Sequence, residues 1–245
     1  MYRSALFSLL FLLFQQIVSA QVGSPRNNWV AGFNGGVGFN KVLFTPNIRQ
    51  TYFNAPTAGI TARYTSEKYF DLLCAIQMEI NYARLGWKED IYSSSNVKLP
   101  DTYERRIDYL QVPMLASLGL GKEERGLKGF LLAGPQIGFA LKEYELRSSV
   151  LTTKELLGQI VPDRGNNVYA QYGKPLDRRV DYGIVGGLGV ELTTGLGHFL
   201  LDIRYYYGLA DFFNNAKKDP FSRSAHNSLV CKFSYLIDLN RRSKK

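Results

Sequence analysis

The chain has 245 residues, 45% of them hydrophobic and 21% charged, which allows one large or two small folded domains and is too apolar for a disordered chain. Two Cys, two His and three Met, set beside 23 Gly, 16 Tyr and 15 Phe, exclude a zinc ribbon, a disulfide-stapled mini-domain and most metalloenzymes. The formal charge of +9 favours anionic neighbours such as lipid phosphates, and its spread along the chain forms no basic stripe, so nucleic acid is not an expected partner.

Arg3 precedes an apolar run from Ala5 to Phe14, which ends in the small-residue site Val18-Ser19-Ala20. This charged, apolar and cleavable layout reads as a secretory signal peptide over residues 1–20, cleaved after Ala20, with an uncleaved anchor as the alternative. Arg3 is the one charged residue it removes, so the mature chain carries +8. No stretch beyond Gln21 approaches the roughly 18 apolar residues of a membrane helix, and an exported chain without one is secreted, periplasmic or a barrel in the membrane.

Period-two alternation then recurs eight times. The first strand sets Trp29, Ala31, Phe33, Val37 and Phe39 against Val30, Asn34 and three glycines, and the second sets Ala58, Ile60, Ala62 and Tyr64 against Gly59, Thr61 and Arg63. In the third, Phe70, Leu72, Cys74, Ile76, Met78, Ile80 and Tyr82 oppose Asp71, Gln77, Glu79 and Asn81. The fourth alternates from Tyr109 to Leu118 and the fifth from Leu131 to Lys142. The sixth is the most regular, with Val180, Tyr182, Ile184, Leu188, Val190 and Leu192 against Asp181, Gly183, Gly187, Gly189 and Glu191. The seventh opposes Phe199, Leu201, Ile203, Tyr205 and Tyr207 to Asp202, Arg204 and Tyr206, and the last opposes Leu229, Cys231, Phe233, Tyr235 and Ile237 to Lys232 and Ser234.

Short connections near residues 65–69, 119–128 and 194–198 alternate with long ones near 40–57, 86–103, 143–178 and 211–226. An even number of alternating strands joined in this way predicts an all-β fold: an eight-stranded antiparallel up-and-down transmembrane β-barrel with short periplasmic turns and long extracellular loops. The barrel domain spans residues 21–240, and a basic tail follows over 241–245. Alternation alone does not separate a membrane barrel from a soluble lipocalin-like barrel or a sandwich, whose polarity is reversed. The polar face favours the membrane. Its Arg63, Glu79, Asp181, Glu191, Asp202, Arg204 and Lys232 carry both signs, so they can pair as a lumen network rather than be buried as lone charges. Asp71 is expected on the same face, and Trp29, Tyr64, Tyr82, Trp87, Tyr205 and Tyr207 are expected in the interface girdles. Eight strands enclose only enough room for side chains, so a general porin is disfavoured, and no small-molecule substrate, cofactor or metal is expected.

The segments Tyr109-Leu110-Gln111-Val112-Pro113, Gly134-Pro135-Gln136-Ile137-Gly138-Phe139, Asp181-Tyr182-Gly183-Ile184 through Glu191, and Arg204-Tyr205-Tyr206-Tyr207-Gly208-Leu209 resemble the outer-membrane barrel domain of PorT-like proteins. The resemblance covers nearly all of the mature chain. It implies an outer-membrane location and a non-enzymatic accessory role in type IX protein secretion, with outer-membrane lipid and other secretion-system proteins as partners. It supplies no catalytic motif. A stand-alone surface adhesion or interaction barrel is the alternative.

Few other residues suggest chemistry. His198 falls in a short periplasmic turn, and His226 opens the last strand beside Ser224 and Ser228, the one place where a barrel hydrolase could assemble. Gly186-Gly187-Leu188-Gly189 lacks the helix and Lys-Ser/Thr of a phosphate loop. Cys74 and Cys231 lie on strands that are not neighbours and are expected as free thiols. The 143–178 connection exceeds ordinary loop length and is the expected partner-contact surface, through Arg147, Lys154, Arg164, Tyr169, Tyr172 and Arg178. A short helix is expected within residues 151–160.

Overall fold

The computed structural model describes residues 24–121, 125–148 and 168–239. The signal peptide with its cleavage site, the helix expected within 151–160, Lys154, Arg164 and the tail 241–245 lie outside the described residues.

Period-two alternation becomes a closed sheet. The strands are β1 Ser24–Thr45, β2 Gln50–Thr51, β3 Phe53–Tyr69, β4 Leu72–Tyr92, β5 Lys98–Gly121, β6 Gly126–Arg147, β7 Val180–Thr193, β8 His198–Gly208 and β9 Arg223–Asp238. Each long strand pairs antiparallel with its neighbours in the chain, and β1 also pairs with β9, from Val30↔Asp238 to Thr45↔Arg223. Eight strands thus close a ring that leaves no free edge in its membrane band, the only form in which strands are tolerated in hydrocarbon. The two-residue β2 is an additional strand that pairs only with the top of β4.

The two faces sort by polarity. Phe33, Ile60, Leu131 and Leu188 point outward, with exposures of 73%, 51%, 58% and 61%, whereas Glu79, Glu191 and Asp202 point inward at 1–2%. Apolar side chains cover the outside on every long strand, far beyond the few hundred Å² of contiguous apolar surface that a soluble monomer tolerates. This is the polarity of a membrane barrel and the reverse of a soluble one.

Closure of so narrow a ring brings inward backbones close together, and glycine supplies the clearance. A Cβ on Gly36 would lie 2.1 Å from the Cys231 carbonyl oxygen, and one on Gly59 would lie 2.2 Å from that of Ile80.

The strands are longer than alternation implied. The third and fourth alternating runs, ending at Tyr82 and starting at Tyr109, extend into β4 and β5, so the expected 86–103 loop shrinks to residues 93–97. A tilted strand crosses a bilayer in roughly 10 residues, whereas β4 and β5 have 21 and 24. The excess lies above the outer membrane boundary, and polarity inverts where it begins. Outward residues of β4 change from Ile76, Met78, Ile80 and Tyr82 to Arg84, Lys88 and Asp90, while inward residues change from Gln77, Glu79 and Asn81 to Ala83, Leu85, Trp87 and Ile91. On β5 the outward face changes from Leu110 to Asp108, Arg106 and Glu104 over the same level.

This inversion corrects two expectations. Trp87 is fully buried inside the extension rather than in a girdle, because its strand has already left the membrane at that height. Trp29, Tyr64, Tyr82, Tyr205 and Tyr207 do face outward, and the Trp29 and Tyr64 rings pair at 4.8 Å. Asp71 is exposed in the Phe70–Asp71 turn and faces no lumen, since the strand pair reverses there, with Phe70 at φ 51°.

One stretch of wall is not laced. Pairing of β1 with β3 continues to Asn40↔Phe53, but that of β3 with β4 stops at Thr57↔Ala83. The next residue of β3, Pro56, has no N–H to give to the ladder, and Gly86 of β4 has φ 156°. A window therefore separates Phe53–Pro56 from Arg84–Trp87, bridged above by β2 at Gln50↔Glu89 and Thr51↔Lys88.

Candidate functional site

The alternating strands deliver a layered interior, charged in the membrane and aromatic above it. Two carboxylates organise the charged layer. Glu191 accepts from Arg63 Nη1 at 2.5 Å and Lys128 Nζ at 2.8 Å, and its Oε1 lies 2.7 Å from His198 Nδ1. Glu79 accepts from Lys232 Nζ at 2.7 Å and Arg204 Nη1 at 2.9 Å, and Arg204 also binds Asp202 through Nε at 2.5 Å. Gln77 joins the two groups, since its Oε1 takes Arg63 Nη2 at 2.7 Å and its Nε2 donates to Glu79 at 2.5 Å. Each charge is paired and hydrogen-bonded, which offsets the cost of removing it from water.

Of the residues expected in the lumen, Arg63, Glu79, Glu191, Asp202, Arg204 and Lys232 come together here. Asp181 is buried but stands apart, accepting from the Tyr206 hydroxyl at 2.7 Å. Sequence reading placed Gln77 on the polar face beside Glu79 but missed Lys128 and His198 as members. Lys128 is the third residue of β6, next to the β5–β6 turn, and is followed inward by Phe130 and Leu132, so polar alternation did not mark it. His198 opens β8 and faces the lumen instead of lying in the turn, and its contact with Glu191 crosses from β8 to β7.

The mouth is closed by aromatic side chains. Phe44 and Trp87 of the wall meet Phe212, Phe213 and Phe221 of the β8–β9 connection, with ring centroids 5.1 Å apart for Phe44–Trp87 and 5.7 Å for Trp87–Phe212. The β6–β7 connection also folds inward. The Tyr172 ring packs tilted against Tyr103, with centroids 4.5 Å apart, and its hydroxyl donates to Glu89 Oε2 at 2.7 Å, while Gln171 and Trp87 Nε1 donate to Glu89 Oε1 at 3.0 and 3.1 Å. Tyr172 is therefore a buried latch, which corrects its assignment to an exposed contact surface. Tyr169 is half-buried against it, Arg147 lies near Glu145, and Arg178 is exposed with its N–H bonded to the Phe212 carbonyl. The neighbouring Asp177 binds Lys174 at 2.8 Å and accepts from Asn214 N at 2.8 Å, and the Lys174 bond holds its carboxyl below the ordinary range.

Of the two histidines, His198 has the Thr193 hydroxyl 3.2 Å from its Nδ1, within the Glu191 cluster. His226 is completely buried against Phe212, its Nε2 lies 3.2 Å from the Tyr109 hydroxyl, and Ser224 Oγ is taken by the Phe213 N–H. Cys74 and Cys231 are unbridged, on β4 and β9, which β3 and β1 separate.

The sequence matches the family described as outer membrane protein beta-barrel domain over residues 19–214, most of its length. The chain belongs to that family. Its place is the outer membrane, with lipid around the apolar band. Solved structures similar to it include Ail, the attachment invasion locus protein of Yersinia pestis, at 13% identity over 86% of this chain and all of that one, TM-score 0.36. OprG of Pseudomonas aeruginosa is similar at 11% identity over 89% and 97% of the two chains, TM-score 0.41, and neisserial surface protein A at 11% over 84% and 96%, TM-score 0.39. No sequence match is found among curated proteins.

Proposed function

We propose that this outer-membrane barrel is a non-enzymatic accessory component of protein secretion, of the type IX kind that its PorT-like phrases suggest, and that it works by docking other secretion proteins. The filled interior carries this reading. With the Glu79 and Glu191 ion pairs across the lumen and five aromatic rings from Phe44, Trp87, Phe212, Phe213 and Phe221 in the mouth, its surfaces are what it offers a partner. The extracellular extension of β4–β6 and the connection bearing Tyr169 and Arg178 form the docking face, with Lys154 and Arg164 belonging to the same connection.

Deletion of the chromosomal copy tests the reading. It should stop export of cargo proteins while the membrane still excludes dyes, and the intact chain should retain other envelope proteins in a pull-down from detergent-solubilised outer membranes. Unchanged export would contradict it. Unchanged export together with lost binding to an external surface would instead favour a stand-alone interaction barrel, which the projecting wall also suits.

A further inference from the structure

The window in the wall opens onto an exterior groove of about 380 Å³, bounded by Tyr52, Asn54 and Pro56 on one side and by Arg84, Lys88 and Arg106 on the other. Inside, Asn40 crosses behind β3 and donates to the Arg84 carbonyl at 3.3 Å, a bond that replaces part of the missing ladder and keeps the opening in shape. A lumen cavity of about 40 Å³ reaches the same Pro56 and Arg84 from within.

Charge and height define what fits. Three cations, Arg84, Lys88 and Arg106, line the groove, and Lys41 lies over the Tyr52 ring at its edge at 4.0 Å. Two carboxylates oppose them: Asp108 binds Arg84 at 2.6 Å, and Glu104 binds Arg106. Lys88 is exposed, across the strand pair from Glu104 and near Asp90, which is bonded to Thr51 and Lys98. Just below the groove, the outward face is Ala58, Ile60, Ile80 and Tyr82. Cations one step above an apolar surface, at the level where headgroups meet hydrocarbon, match a molecule with an anionic head and acyl chains.

We propose that this groove binds the phosphorylated headgroup of an outer-leaflet lipid, with the phosphate against Lys88 and Arg106 and the chains along Ile60 and Ile80. A protein partner would have to reach below the projecting wall to the membrane boundary, and a free phosphate would leave the apolar surface beneath unused.

The full-length chain, folded in a neutral detergent, is titrated with bis-phosphorylated lipid A, with the same lipid after dephosphorylation, and with glucosamine 6-phosphate, and bound molecules are counted by native mass spectrometry. One phosphorylated lipid per barrel is expected, with the other two probes bound at least tenfold more weakly. Lys88→Glu should weaken lipid A binding about tenfold or more, while Lys218→Glu, an equal charge change on the exposed β8–β9 connection, leaves it unchanged. Retained heat-modifiable gel mobility confirms that both variants are folded. Equal binding of the dephosphorylated lipid or of the sugar phosphate would overturn the proposal, as would equal losses in the two variants.

Discussion

Glu191 holds two cations and an imidazole inside a space that water reaches poorly, so its removal leaves more than one charge unpaired. Glu191→Gln should lower the free energy of unfolding by about 3–5 kcal/mol, the usual cost of breaking a buried ion pair from one side, as read from the urea midpoint in lipid vesicles. Gly36→Ala should cost about 1–3 kcal/mol in the same assay, because its Cβ meets backbone that cannot swing away, 2.1 Å from Cys231 O. Most of the lumen charges were legible because a charge at every second position among apolar residues has few places to go except a shared interior. Lys128 and His198 were not, since each stands beside a turn, where alternation has too few residues to establish a face.

Strands β4 and β5 each change environment partway along. The alternation continues through the change with its sign reversed, so a reading that tracks one apolar face stops at Tyr82 and resumes at Tyr109. That is why strand existence and order were legible and strand length was not, and why Trp87 was assigned to a girdle. The inversion predicts opposite tolerance on one exterior surface. Ile80→Arg, in the apolar band, should cost about 2–4 kcal/mol in vesicles, whereas Leu146→Arg, outward on the β6 extension, should stay within about 0.5 kcal/mol. Trp87→Ala should cost about 3–5 kcal/mol and loosen the β8–β9 connection it touches through Phe212 and the β6–β7 connection that shares Glu89 with it, visible as faster amide exchange at Phe213 and Tyr172. Asp177 ties those connections together with a carboxyl held below its ordinary range by the Lys174 bond. A depressed acid contributes only while ionised, so the tie should be complete above about pH 4 and lost as pH falls below that. A protection factor at the Asn214 amide, corrected for the intrinsic exchange rate at each pH, that stays constant from neutrality to pH 5 and falls under stronger acid would agree, and a fall near neutrality would not.

At the scale of the molecule, the ring is a sealed post whose interior supplies rigidity and whose ends and flank meet partners. The decision between lipid outside and lipid inside controls everything else, because the same alternation turned inside out would be a soluble carrier. Cys74 and Cys231 lie on the outward face of the apolar band and are natural reporters of it. Nitroxides are attached to each in turn, with the other thiol changed to Ala, in barrels reconstituted into phosphatidylcholine vesicles, and their relaxation by oxygen and by a water-soluble nickel chelate is compared. Strong relaxation by oxygen and weak relaxation by nickel at both sites is the expected result; strong nickel access at both would mean that this face meets water and that the barrel is not embedded as described.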